Sequence, residues 1–369
     1  MNTRLFYLDA MRGSLMMLGV VLHSAQVYSP TQQWLIYSSD TSPVALFLVE
    51  VVHTFRMPAF FVVSGYFCLL TLRKYGVPLF LRLRLKRIVI PLLVTGLTIN
   101  SAQALLLDGT GWANLSLQSY FLNGGWVSHL WFLNYLIVFF LCACALFSLA
   151  DKTASFRMRL KTRYPHLEPR NFPFPILLMT LPLYTIALKI VGKLGLPLYW
   201  DLAGIIQGFN LLFYLQFFLF GMWMNRYPKV LQHCISTSAL KLITILIAAY
   251  VASAVCSGDG NLAEIVIEEY LKMLVVWVSV ILCFNFFYAV GSKPTLYFRR
   301  LSDASYTVYL FHHILVILGA LILRRVDWPP LLELTLLMSI ALIVSILVHT
   351  MLIQKFDSLS YAFNGKAIR

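Results

Sequence analysis

Ten apolar runs, each near the roughly 20 residues needed to cross a hydrocarbon core, follow one another along this chain. A backbone in lipid must satisfy its own hydrogen bonds, so runs of this length become helices. They fall at about residues 10–29, 44–70, 88–107, 130–150, 174–193, 209–226, 239–256, 270–290, 304–323 and 331–353. The expected fold is an all-α polytopic membrane protein of about ten transmembrane helices. Composition agrees, because 60% of the 369 residues are hydrophobic and only 12% are charged. The longest connections, 108–129 and 151–173, are too short for a separate soluble unit, and residues 1–369 read as one integral-membrane domain. No internal repeat is evident, which counts against the transporter folds built from two similar halves.

A net charge of +14 would raise the question of nucleic acid in a soluble chain. Here its distribution gives a plainer account. The second connection, RKYGVPLFLRLRLKR, carries six Lys and Arg, the fourth also carries six, and the eighth carries three. Residues 30–43 and 108–129 carry none, and residues 257–269 hold only the acids Asp259, Glu264, Glu268 and Glu269. The ninth connection, with Arg324 and Arg325, is the exception. Basic connections stay in the cytoplasm, so both termini are expected inside. The partner implied is the lipid bilayer; nucleic acid is not.

The six cysteines, Cys68, Cys142, Cys144, Cys234, Cys256 and Cys283, fall mostly within or at the ends of apolar runs, without C-x-x-C pairs or histidines at ligand spacing. They read as thiols of the interior, with no metal site and no disulfide frame. The first apolar run lacks a small-residue cleavage site and is expected to be retained as a span.

That first run, LDAMRGSLMMLGVVLHSA, carries Asp9, Arg12 and His23. Eleven steps of 100° separate Arg12 from His23 and return to within about 20° of the start, so both share a helix face roughly 16 Å apart along the axis. Met16 and Gly19 lie between them on that face. Asp9 is spaced to pair with Arg12. Independent interfacial anchors, the plainer account of the two polar residues, have no reason to align in this way.

The second run contains EVVHTFRMPAFFVVSGYF. Arg56 sits well inside it, with His53 and Glu50 three and six residues earlier. An ionisable group at that depth normally faces a protein interior or a wet cavity; a structural ion pair, Glu50 with Arg56 or with a neighbouring helix, is the competing account. Ser64 and Gly65 suit either a site or close helix packing. The connection that follows places Arg82, Arg84, Lys86 and Arg87 where they serve either as a positive-inside flank or as a dock for phosphate.

Further along, NGGWVSHLWFL places His129 and Trp131 at the outer mouth of the fourth span, and LSDASYTVYLFHHI puts Ser305, Tyr309 and His312 on one face of the ninth. By this topology Trp34, Trp112, Trp126, Trp131, Trp200 and Trp328 lie on the outer side and Trp223 on the inner. Aromatic belts occupy both interfaces, so the imbalance suggests stacking surfaces for sugar rings.

LDAMRG with its Arg-x10-His spacing, FFVVSGY, the basic run closing in KRIVIP, and SYTVYLFH together resemble the membrane acyltransferase-3 family. HTFRMPAFFVVSGYF with SHLWFL resembles a subgroup that succinylates osmoregulated periplasmic glucans in Gram-negative bacteria. The resemblance covers most of the chain and is densest in residues 7–135. It implies about ten spans in the bacterial inner membrane and transfer of an acyl group from cytoplasmic acyl-CoA, here succinyl-CoA as co-substrate with no permanently bound cofactor, to glucan hydroxyls. Other proteins of glucan biosynthesis are implied as partners.

Carried over, the family's arginine and histidine are Arg12 and His23, its Ser-Gly is Ser64 and Gly65, the arginines entering the third span are Arg84 and Arg87, and the late tyrosine and histidine are Tyr309 and His312. Where the broader family often has His-Met-Pro, this chain has Arg56, Met57 and Pro58, which suits an acyl group bearing its own carboxylate. The expected catalytic set is His23, Arg12 and Asp9. The donor set is Arg84, Arg87, Arg56, Ser64, Tyr309 and His312, and the acceptor set is His129, Trp131, His53 and Glu50. The rival readings are an O-acetyltransferase of another envelope polysaccharide and a transporter or flippase without acyl transfer.

Overall fold

The computed structural model describes residues 5–111, 116–152, 174–256, 261–326 and 328–366. Trp112, Asp259 and residues 153–173 of the basic fourth connection lie outside these.

Helix α1 (Phe6–Val27) carries the first apolar run. Helix α2 (Pro43–Thr95) begins at a Ser42 cap, whose hydroxyl accepts from the Val44 amide, with proline at the first helical position. It breaks at Gly76, whose φ of 70° costs a residue without Cβ little, and the basic run occupies the bend. A π-helical turn (Gly96–Asn100) leads into α3 (Ser101–Gly109), so the third apolar run is not one regular helix.

A short helix α4 (Leu117–Leu122) and a 3-10 turn (Ser128–Leu130) precede α5 (Trp131–Lys152). Helix α6 (Phe174–Lys193) is followed by a hairpin of two-residue strands, β1 (Asp201–Leu202) and β2 (Ile206–Gln207). Helices α7 (Gly208–Arg226), α8 (Pro228–Ser236) and α9 (Ala239–Cys256) complete the middle of the chain.

The last third holds α10 (Leu262–Gly291), α11 (Leu296–Leu323), α12 (Pro330–Val348), a π turn (His349–Ile353) and α13 (Asp357–Asn364). Helices α10 and α11 start eight residues before the apolar runs they carry. Asn261 accepts from the amides of Ala263 and Glu264, and Thr295 accepts from that of Phe298, so capping rather than hydropathy fixes where they begin.

The chain is therefore an all-α membrane protein. Seven of its described helical stretches are long and apolar enough to cross a membrane, the broken stretch Pro43–Gly109 among them. Helices α1 and α7 lie on two of the remaining apolar runs.

Helix α1 is the hub, packing against α2, α10, α11 and α12. Helices α2 and α7 cross at Gly65 and Gly221: a Cβ on Gly65 would collide with the Phe218 carbonyl, and one on Gly221 with the Val62 carbonyl. Gly65 thus serves close helix approach, the packing alternative for the Ser-Gly pair. Cys68, Cys144 and Cys234 are buried, and all six cysteines are free thiols.

Candidate active site

The α1 face bearing Arg12 and His23 lies along α11. At one end Arg12 donates to the Ser302 hydroxyl at 3.4 Å and pairs with Asp9 at 3.6 Å, its guanidinium 5.6 Å from the Phe67 ring. At the other end His23 is 5.3 Å from the ring of His312 and 4.8 Å from that of His313. Both ends of this face meet α11, as eleven steps of 100° place them.

Between them, a Cβ on Gly19 would stand 2.7 Å from Arg56 Nη1 and 3.2 Å from His312 Nε2. The missing side chain makes room for a guanidinium and an imidazole from two other helices. At this level the face between Arg12 and His23 is filled by Arg56 and His312.

Arg56 is buried, and its Nε has no hydrogen-bond partner among the described residues. The Glu50–Arg56 ion pair does not form: Glu50 is exposed and no pair between the two exists among the described residues. Six residues are one and two-thirds turns of helix, which turns Glu50 away from Arg56. The phenols of Tyr214 and Tyr309 are its electrostatic neighbours. His53 is exposed one turn before Arg56, and Ser64 is half-buried.

His129 departs most from the position expected of it. It is not at an open mouth. It is buried, its ring lies 4.4 Å from that of His313 with planes 10° apart, and it meets His312 edge-on at 5.5 Å. The loop before α5 is pulled inward because Asn100 Nδ2 donates to the carbonyls of Trp126 and Val127, while the Tyr309 hydroxyl donates to the His129 carbonyl. Both ring nitrogens of His129 and Nε2 of His312 are buried without hydrogen-bond partners among the described residues. Trp131 points elsewhere, into an aromatic core with Phe61, Tyr135 and Tyr214. Ser305 is buried and donates to the Ser302 carbonyl.

Four residues of this centre escaped the sequence reading. His313 is adjacent to His312, and a search for one helical face retains only one of the two; the doublet itself was the signal. Gln103, buried in α3, meets His313 Nδ1 at 2.7 Å. Gln26 meets His23 Nδ1 at 2.8 Å. Trp34, assigned to a sugar-stacking surface or belt, stacks on His23 at 5.6 Å with planes 22° apart.

The Arg12 end is basic. Arg84 donates to Thr71 Oγ1 at 2.8 Å, and Arg87 is exposed one turn later. Arg84 and Arg87 are both within electrostatic reach of Arg12. The end of α13 closes onto this group: Gly365, in the left-handed conformation at φ 61°, packs on the backbone of Lys86 and Arg87. Lys366, exposed at its outer edge, joins them; partial desolvation and then Arg87 and Arg12 push its amine below the ordinary lysine range, with Asp303 pulling the other way.

The arrangement is a cationic group at one end of α1 and a cluster of four imidazoles with one buried guanidinium at the other. Neutral imidazoles near a hydroxyl and a carbonyl can accept and return protons, and a buried guanidinium can hold a carboxylate. The sequence profile of the acyltransferase domain matches residues 5–350. Glucans biosynthesis protein C of Escherichia coli strain SMS-3-5 / SECEC is 25% identical over 330 residues, covering 84% of this chain and 81% of that protein. The protein of the same name from Escherichia coli strain K12 is 24% identical with the same coverage. No solved structure matches the chain.

Proposed function

The chain belongs to the membrane acyltransferase-3 family, and from that membership we propose that it carries an acyl group from a cytoplasmic coenzyme A thioester to glucose hydroxyls of a periplasmic glucan. The donor's phosphates are bound at the inner side by Arg84, Arg87 and Arg12. His23 Nε2 removes the proton as the glucose oxygen attacks the thioester carbonyl. A carbon–oxygen bond forms, the carbon–sulfur bond breaks, and the proton passes to the departing thiolate. Asp9 orients Arg12.

The acyl group is read as succinyl, because Arg56 is a buried cation without a carboxylate partner among the described residues and a succinyl group brings one. A guanidinium in apolar surroundings costs at least about 2 kcal/mol, and a charge-assisted contact with the substrate offsets that cost. The glucan is suggested by the name of the relatives. It is expected to approach from the end of α1 bearing Trp34, His53 and Glu50. Ten spans, with both termini in the cytoplasm of an inner-membrane protein, are the topology this scheme requires.

The observation that carries the reading is the convergence of His23, Arg56 and His312 around Gly19, at the end of α1 opposite the arginine cluster. The test is mass spectrometry of periplasmic glucans from a deletion strain and from strains complemented with the native chain or His23→Ala. Succinyl substituents should be lost in the deletion, restored by the native gene and absent with His23→Ala. Loss of acetyl substituents instead would assign the acetyl reading, and unchanged acylation with His23→Ala would return the chain to the transporter class.

A further inference from the structure

Three of the four imidazoles of the cluster, His23, His312 and His313, have a partner at Nδ1 that selects which nitrogen carries the proton. His312 Nδ1 lies 2.7 Å from the Tyr309 carbonyl and 3.1 Å from the Val308 carbonyl. A carbonyl oxygen only accepts, so this nitrogen bears the hydrogen and Nε2 bears the lone pair. His313 Nδ1 faces Gln103 Oε1 at 2.7 Å, and His23 Nδ1 faces Gln26 Oε1 at 2.8 Å. Each glutamine, as oriented, presents its amide oxygen to the ring, and an amide oxygen only accepts, so Nδ1–H is the tautomer that pairs with it. Three rings drawn from two helices are thus set in one tautomer.

We infer that Gln103 is a positioning residue for transfer: by accepting from His313 Nδ1 it fixes His313 with a bare Nε2 and makes this ring a hydrogen-bond acceptor beside His23. The inference rests on the proposed acyl transfer for its chemical meaning, though not for its structural content. Gln103 is buried and stands just after the π-helical turn Gly96–Asn100. Such turns shift the register of a helix and recur at functional sites. The same turn carries Asn100, which holds the loop behind His129. One irregular segment therefore orients both members of the His129–His313 stack.

In the reaction, the proton of the glucan hydroxyl moves to His23 Nε2 and then to the departing thiolate. His313 accepts a hydrogen bond through Nε2 while His23 is an imidazolium and returns to its resting state when the thiol leaves. No proton is gained or lost over the cycle. A His313 protonated on Nε2 would present a donor to a protonated His23 and oppose the step.

The test uses the full chain labelled with 15N-histidine in lipid bilayers, with solid-state NMR distinguishing protonated from bare ring nitrogens and single histidine substitutions assigning the rings. The native chain should show Nδ1–H and bare Nε2 for His313 as for His312. Gln103→Met, close in volume and without the acceptor, should move His313 toward Nε2–H and leave His312 unchanged. Gln103→Glu, which still accepts, should restore the native pattern. A native His313 protonated on Nε2, or one indifferent to Gln103→Met, overturns the inference. These spectra need neither donor nor acceptor, so they stand apart from the assignment of substrates. With succinyl-CoA and glucan, Gln103→Met should lower kcat about tenfold with KM unchanged, and Gln103→Glu should recover most of it; an unchanged kcat in Gln103→Met equally overturns the inference.

Discussion

His129 and His313 stack face to face, with ring centroids 4.4 Å apart, although 184 positions separate them in the chain. The contact joins the loop before α5 to the centre of α11 and makes His129 part of the buried cluster. His129→Phe preserves an aromatic surface while removing both nitrogens. It should keep the protein folded, with a thermal midpoint near the native one, and lower acyl transfer by about 10²-fold, the scale of a lost acid–base group. Near-native transfer by the phenylalanine variant would reduce His129 to a packing residue.

Arg56 should separate stability from activity. Removing a buried charge that has no carboxylate partner among the described residues relieves its desolvation, so Arg56→Leu is expected to unfold at the native temperature or above it. Succinyl transfer should fall by about 10²-fold or more, the worth of a charge-assisted contact in a low-dielectric site. Any residual acetyl transfer should fall less. Thermal unfolding in detergent and paired assays with succinyl-CoA and acetyl-CoA measure this; equal loss with both donors would remove Arg56 from donor selection.

Gly19→Ala asks how tightly Arg56 and His312 must approach α1. The new methyl carbon would meet Arg56 Nη1 at 2.7 Å and His312 Nε2 at 3.2 Å. Arg56 can swing away, and alanine gains up to about 1 kcal/mol of helix propensity, so the variant should fold. Activity should drop by about tenfold or more because both groups leave their places. Native rates would mean that neither needs its present position.

What could be read from the sequence was periodic, and what could not was irregular. The Arg12–His23 alignment follows from 3.6 residues per turn, and each apolar run lies on helix because lipid allows little else. Gln103 and Asn100 are set by a π turn that no hydropathy pattern marks. His129 stands in a loop that side-chain-to-carbonyl bonds from α3 and α11 draw inward, and such long-range bonds leave no local trace. Arg56 was legible as an interior group; its pairing with Glu50 stayed open in the sequence and fails in the structure because helix phase places position six away from position zero.

At the basic end, Arg84→Ala with Arg87→Ala should raise the donor's KM by about tenfold or more while leaving kcat within a few-fold, as loss of uniform binding does. The salt dependence of KM should flatten in the same variant, because screening acts on phosphate–guanidinium attraction. An unchanged KM would place the donor's phosphates elsewhere.

Lys366 gives this end a pH dependence. Only the ammonium form attracts phosphate, and partial desolvation with Arg87 and Arg12 nearby lowers the pH at which this amine loses its proton relative to an ordinary lysine. Asp303 opposes the shift without reversing it. Donor affinity should therefore be full below that window and fall as pH rises through it, earlier than a solvent-exposed lysine would allow. Bound phosphate favours the charged form, so the apparent transition should move upward at saturating donor. Lys366→Gln should show a raised KM at neutral pH and lose the alkaline rise; if the rise persists in that variant, a different group governs it and Lys366 does not contact the donor.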